Sequence, residues 1–272
     1  MTPHMMCATP PVSPATKQMI KRMVTSAVFA GLAAGLLAAL LHFAFVQNLI
    51  LLGEEYETGA MVHFGGVMAH DHDAAEPMVP DAAAPEAAAP PDAEAGHEHH
   101  HHAVDEDGSP LQRNALTVLF FVVTYVSYGL ILAAGFGLAD SLGKAIGLRE
   151  GLLWGIAGFV AFQLAPAMGL EPELPGTMAA DLAARQLWWW GTALATVGGL
   201  ALIGYGKGVP AYGAAILLLA LPHIIGAPEL EGYTGVAPPE LAAAFAARGL
   251  GVGFLVWATL GALTGHLWSE SK

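Results

Sequence analysis

Residues 23–47 read MVTSAVFAGLAAGLLAALLHFAFVQ, an uninterrupted stretch without Asp, Glu, Lys or Arg. A helix rises about 1.5 Å per residue, so roughly 20 apolar residues cross the ~30 Å hydrocarbon layer of a bilayer. Five more segments of this kind follow, at 114–138, 151–168, 187–206, 209–226 and 249–268. Pro166 and Pro222 sit near the ends of the third and fifth, and Gly206-Lys207-Gly208 joins the fourth to the fifth as a tight turn. The composition agrees: 55% of the 272 residues are hydrophobic and only 12% charged. Soluble domains run nearer a quarter charged. The pattern predicts an all-α, polytopic membrane helix bundle of about six spans.

The flanks orient it. With the 1–22 tail in the cytoplasm, Lys17, Lys21, Arg22, Lys144, Arg149, Lys207 and Lys272 fall inside, and Arg113, Arg185 and Arg248 fall outside. Lys and Arg in short loops set orientation, so both termini are expected to be cytoplasmic in a bacterial-type inner membrane. The outer loops are then 48–113, 169–186 and 227–248, and 20 of the 23 acidic residues lie on that side. The first span is longer than a signal-peptide core and no Ala-x-Ala site follows it, so it reads as a retained anchor. Each outer arginine begins an inward-running helix and reads as a snorkelling anchor. Trp188, Trp189 and Trp190 fit the outer aromatic belt, and Trp268 the inner one. A net charge of −13 argues against nucleic acid as a partner. The lone Cys7 supports neither a disulfide nor a thiolate metal site.

An internal repeat is visible. Ala165-Pro166, Pro172-Glu173-Leu174 and Ala183-Ala184-Arg185 recur as Ala227-Pro228, Pro239-Glu240-Leu241 and Ala246-Ala247-Arg248. The Pro166-to-Arg185 and Pro228-to-Arg248 separations are 19 and 20 residues. With the first two spans added by topology, the reading is three helical hairpins of one orientation, related by a pseudo-threefold repeat. Gly31-x-x-x-Gly35 and Gly261-x-x-x-Gly265 offer faces for close helix approach.

The first outer loop carries ligand chemistry. Residues 54–112 hold 14 acids and eight histidines and no Lys or Arg. Two clusters stand out, His70-Asp71-His72-Asp73 and His97-Glu98-His99-His100-His101-His102. Imidazole is the commonest protein ligand for cobalt, nickel, zinc and copper, and carboxylates add negative potential. Between the clusters, residues 82–95 are Ala, Pro and acid, which cannot bury a core and read as disordered. A loop of this kind collects divalent cations loosely rather than caging one. Met61, Met68 and Met78 lack the dense pattern of a copper site.

Polar residues inside spans are costly and tend to face the bundle interior. His42, Gln163 and His223 lie near the outer ends of the three outward-running helices and would face one another under threefold symmetry. The alternative for each is a satisfied carbonyl partner or an interfacial position. Glu54, Glu55 and Glu57 add carboxylates at the same mouth, and Glu173, Asp181 and Glu240 are further outer candidates. His266, near the inner end, is either an exit ligand or an interface residue.

No Walker A sequence, Gly-x-Ser-x-Gly elbow or His-Glu-x-x-His motif occurs, so neither ATP-driven transport by this chain nor hydrolysis is expected. The Glu54-Glu55-Tyr56-Glu57 run after His42, the block Glu171-Pro172-Glu173-Leu174-Pro175-Gly176 continuing to Arg185-Gln186-Leu187-Trp188-Trp189, and Leu221-Pro222-His223 with Gly226-Ala227-Pro228 resemble the CbtA family of predicted cobalt transporter subunits. The resemblance extends over the chain after residue 20. It implies cobalt as the ion, cobalt supply for cobalamin, and a small His-bearing membrane protein, CbtB, as partner. Ligand chemistry alone admits nickel or zinc equally. Two functions follow: a cobalt permease subunit in the bilayer, or a subunit that captures Co, Ni, Zn or Cu for a partner without carrying it across. A homo-oligomer fits either.

A peptide of residues 64–108 should bind Co2+ at pH 7.5 and lose affinity about tenfold per engaged imidazole by pH 5.5, one unit below the ordinary histidine pKa. Calorimetric titration at the two pH values checks this; equal affinity at both would remove the histidines from the binding.

Overall fold

The computed structural model describes residues 13–63, 109–230, 232 and 235–271. The described residues form helices α1 (Pro14–Phe45), α2 (Gln47–Glu57), α3 (Pro110–Ser141), α4 (Leu148–Phe159), α5 (Ala165–Ala167), α6 (Leu182–Tyr205), α7 (Gly208–Ile225) and α8 (Pro239–Glu270), with a π-helical turn at Val160–Leu164 joining α4 to α5. Six helical segments are long and apolar enough to cross a membrane, with α4, the π turn and α5 counting as one.

The starts of α1, α3 and α6 are written locally. Ser13 and Ser109 accept hydrogen bonds from Thr16 N and Gln112 N at 3.2 and 3.3 Å. Each is followed by a proline at the first helical position, whose missing N–H would have had no partner there. Asp181 caps α6 by accepting from Ala184 N at 2.9 Å. α1, α3 and α8 each run 32 residues, about 48 Å, and exceed the hydrocarbon thickness. α2 carries Glu54, Glu55 and Glu57 on helix rather than on loop.

Glycine decides which helices touch. Lipid is as apolar as leucine, so helices in a bilayer associate through close packing rather than through hydrophobic burial. A Cβ at Gly35 would lie 2.6 Å from Val122 Cα, and one at Gly31 would collide with Val126, so α1 and α3 pack backbone to backbone. The other glycine pair, on α8, meets a matching pair on α4. A Cβ at Gly155 would stand 2.9 Å from Gly261 Cα, and one at Gly151 would stand 2.7 Å from Gly265 Cα.

The close pairs are therefore α1 with α3, α4 with α8, and α6 with α7, while α8 also packs on α1. The first and second spans pack together, as do the fourth and fifth, but the tightest packing of the third span is with the sixth. Trp257, Trp268, Phe136, Val256 and Leu260 fill the interior with 1% exposure or less. Phe29, Leu40, Phe120, Ile216 and Ile224 face outward, as lipid-facing residues do. α7 is the least covered span.

The end of the bundle formed by the α1 N-terminus and the α3 and α8 C-termini is locked by one polar knot. Arg22 pairs with Asp140 at 3.0 Å, donates from Nε to Trp268 O at 2.8 Å, and stacks over the Trp268 ring at 4.0 Å. Trp268 Nε1 donates to the same Asp140 oxygen at 3.1 Å.

Gly155→Leu should overpack the α4–α8 seam and cost roughly 1–3 kcal/mol. A cysteine-free thermal melt in detergent should show a lowered midpoint, whereas Gly213→Leu, where nothing lies within 4 Å, should leave it unchanged.

Candidate functional site

The opposite end of the bundle, where α2 and the two shorter connections meet, brings together most of the acidic residues singled out from the sequence. α2 runs beside the 168–181 connection: Leu174 is buried, and a Cβ at Gly53 would touch its side chain at 3.3 Å. Gly176, with φ 77°, turns the chain so closely that a Cβ there would press on Val236 and Glu57. A single antiparallel bridge, Thr177 to Gly235, ties this connection to the one preceding α8. The two Pro-Glu-Leu copies thus belong to one cap over the bundle.

Arginines occupy the carboxylates of this cap. Arg113 grips both oxygens of Glu54, at 2.6 and 3.1 Å. Arg185 pairs with Glu173 at 2.7 Å. Arg248 donates to Phe45 O at 3.3 Å, where a break at Val46 separates α1 from α2. The arginines are structural partners that cross between elements, not only interfacial anchors. The Glu173–Arg185 pair lies within one repeat unit, whereas Arg248 of the other unit turns to Phe45 O. Glu55, Glu57 and Glu240 are exposed, and Asp181 spends one oxygen on the α6 cap.

His42 stands on α1 with its ring 5.7 Å from Phe43 and 5.2 Å from Phe121. His223 lies on α7, 6.1 Å from Trp188, whose Nε1 donates to Pro222 O at 3.2 Å. α7 packs on α6, so His223 belongs to the α6–α7 pair while His42 and Gln163 face the α1–α3–α8 side. Three spans converging on an axis is not what the packing makes, because the glycine seam commits α4 to α8. His266 is exposed near the end of α8. His70, Asp71, His72, Asp73, His97, His99, His100, His101 and His102 lie outside the described residues. Among the described residues, no three His, Cys, Asp or Glu side chains come close enough together to hold a metal ion.

Gln163 is placed differently from the rest. It sits in the π turn, where Ala165 N reaches Val160 O. Pro166 follows at once and supplies no N–H, which accounts for the widened turn. The Gln163 amide interacts with Tyr125 on α3, yet its buried Oε1 has no ordinary hydrogen-bond donor. Phe162 beside it stacks on Trp257 at 5.9 Å, and Tyr128 touches the same indole at 4.6 Å. Trp257 Nε1 and Thr192 Oγ1 are also buried without a partner. The sequence reading singled out Gln163 and passed over Tyr125, Tyr128, Thr192 and Trp257, which look like ordinary residues of a span.

The fold defines a multi-pass membrane helix bundle, with carboxylates and a histidine at one end and an unsatisfied amide within. The chain belongs to the CbtA family: the family model for the probable cobalt transporter subunit (CbtA) matches residues 20–269. No curated protein and no solved structure matches it.

Glu54→Gln should remove the cap ion pair and leave the fold standing. The pair is exposed at 43% and 38%, and such pairs contribute less than about 1 kcal/mol. A melt should shift little. If Glu54 also receives the ion, the half-saturating cobalt concentration for uptake should rise severalfold, with the maximal rate retained.

Proposed function

We propose that the chain imports cobalt across a bacterial-type inner membrane, entering at the end that carries α2 and leaving at the end that carries Arg22. The reading is carried by the asymmetry of the bundle. Glu54, Glu55, Glu57, Glu173 and Glu240 gather with His42 at one end, while Arg22, Lys144, Arg149 and Lys207 occupy the other. Acidic residues at the entry raise the local concentration of a divalent cation, and the basic end matches the orientation rule for cytoplasmic loops. The histidine clusters at 70–73 and 97–102 feed that entry, His42 takes the ion from the carboxylates, and Gln163 receives it within the bundle. The metal is cargo, and the partner this reading expects is a small His-bearing membrane subunit of the CbtB kind.

A second reading is favoured by the sparseness of ligands. With no cluster of three strong ligands among the described residues, the chain would act as a capture subunit that passes metal to a partner. Reconstitution separates the two. Proteoliposomes holding only this chain should accumulate radiolabelled cobalt under the first reading and bind it without accumulation under the second. In the transporting preparation, His42→Ala and His223→Ala should each lower uptake at limiting cobalt about tenfold if they are on the path, the usual scale for losing a metal-positioning group. Unchanged uptake in His223→Ala would leave that residue as a packing partner of Trp188.

A further inference from the structure

We infer that the π turn builds a neutral, oxygen-lined station for the cargo cation, with Gln163 Oε1 and the Tyr125 hydroxyl as its ligands. This deepens the transport reading and rests on it.

Four observations converge on the same place. The first is an unmet lone pair. Gln163 Oε1 is buried and accepts no hydrogen bond, although leucine or methionine would fill that volume without the cost of a desolvated amide. The second is the room made for it. A Cβ on Gly253 of α8 would fall on Gln163 Oε1, so glycine at this point of α8 is what admits the oxygen. The third is the backbone. A π turn inside a helix is rare and concentrates at functional sites, and here it runs up to Pro166, which has no N–H to give. The fourth is the lining. Tyr125 is 5% exposed, and Trp257, packed between Phe162 and Tyr128, is 1% exposed with its Nε1 unpartnered. An unpartnered acceptor and an unpartnered donor in one buried neighbourhood are what a water molecule or a partly hydrated ion satisfies.

The station also has an approach. His42 packs at a tilt on Phe121 at 5.2 Å, and Phe121 stacks on Tyr125 at 6.4 Å. His42, Phe121, Tyr125 and Gln163 therefore form a line running from the acidic end into the bundle. The chemistry along it changes from carboxylate and imidazole to amide and phenol. Carboxylate and imidazole sites bind a divalent transition metal strongly; neutral oxygen donors bind it weakly. A neutral station lowers the cost of shedding water without holding the ion, which suits transit rather than storage.

The test uses the full chain in lipid nanodiscs, labelled with 5-fluorotryptophan, and cobalt chloride alone. The chain has six tryptophans, and the Trp257 fluorine signal is assigned with W257F. Paramagnetic Co2+ at the station should broaden the Trp257 signal, and diamagnetic Zn2+ should not. Gln163→Leu and Gln163→Asn should need about tenfold more Co2+ for equal broadening. Gln163→Glu should need less and, in proteoliposomes, should carry cobalt more slowly at saturation, since a carboxylate there holds the ion. Should Gln163→Leu not fold, the Asn and Glu variants carry the comparison. A Trp257 signal that stays sharp in the wild type, or broadens equally in all the variants, overturns the station even if the wild type transports cobalt. Broadening at Trp257 without cobalt accumulation would instead overturn the transport reading and leave the station in place.

Discussion

The contact on which the bundle depends is the bare-backbone crossing of α4 and α8. Gly151 and Gly155 face Gly261 and Gly265, and no side chain fits between them. In a bilayer this approach is the source of affinity, because dispersion and weak Cα–H contacts grow steeply as backbones close. Its consequences reach beyond the seam. α8 becomes the central helix, with α1 and α3 on its other sides. Trp257 and Trp268 are carried into the interior. Gly253, two turns before Gly261, is brought against the π turn, so the seam that holds α4 also sets Gln163 where it stands.

The spans were legible because length and apolarity are local properties. The starts were not: α1, α3 and α6 begin at the caps Ser13, Ser109 and Asp181, upstream of the apolar windows at 23, 114 and 187. Partner choice was not legible. Gly31, Gly35, Gly261 and Gly265 could be recognised as close-packing faces, but the six spans are apolar on most sides, so hydrophobic pattern does not tell one neighbour from another. That is why a symmetric arrangement of hairpins looked natural from the repeat, whereas the seam pairs the third span with the sixth. α2 was hidden because the first span was ended at Gln47 and the residues after it were assigned to the outer loop, though Glu-rich sequence favours helix.

At the candidate site the ligand types were legible and their partners were not. Glu54 and Arg113 are 59 residues apart and meet only because α1 and α3 pack along their lengths. Gln163 was visible as a polar residue in a span, and Pro166 was visible near it. The unpartnered Nε1 of Trp257 and the contact of Gln163 Oε1 with Gly253 depend on the packing of α8 and leave no mark in either local sequence.

The arginines change how the acidic end works. Free carboxylates would bind a divalent ion tightly and compete with any site further in. Held by Arg113 and Arg185, Glu54 and Glu173 keep their negative charge beside a matching positive one, which weakens the local well while the exposed Glu55, Glu57 and Glu240 keep the region attractive to cations. A transport path needs positions favourable enough to enter and shallow enough to leave, since an ion leaves each position only as fast as that position releases it. On the proposed transport reading, the loop imidazoles and arginine-tempered carboxylates collect the ion, and one histidine and then a neutral amide hold it by single ligands that let it go. The same logic explains why no cluster of three strong ligands is required among the described residues of a protein in this family. A cage with full coordination would slow release by the depth of its own binding, and a subunit built to pass cobalt onward is better served by single ligands set in a row.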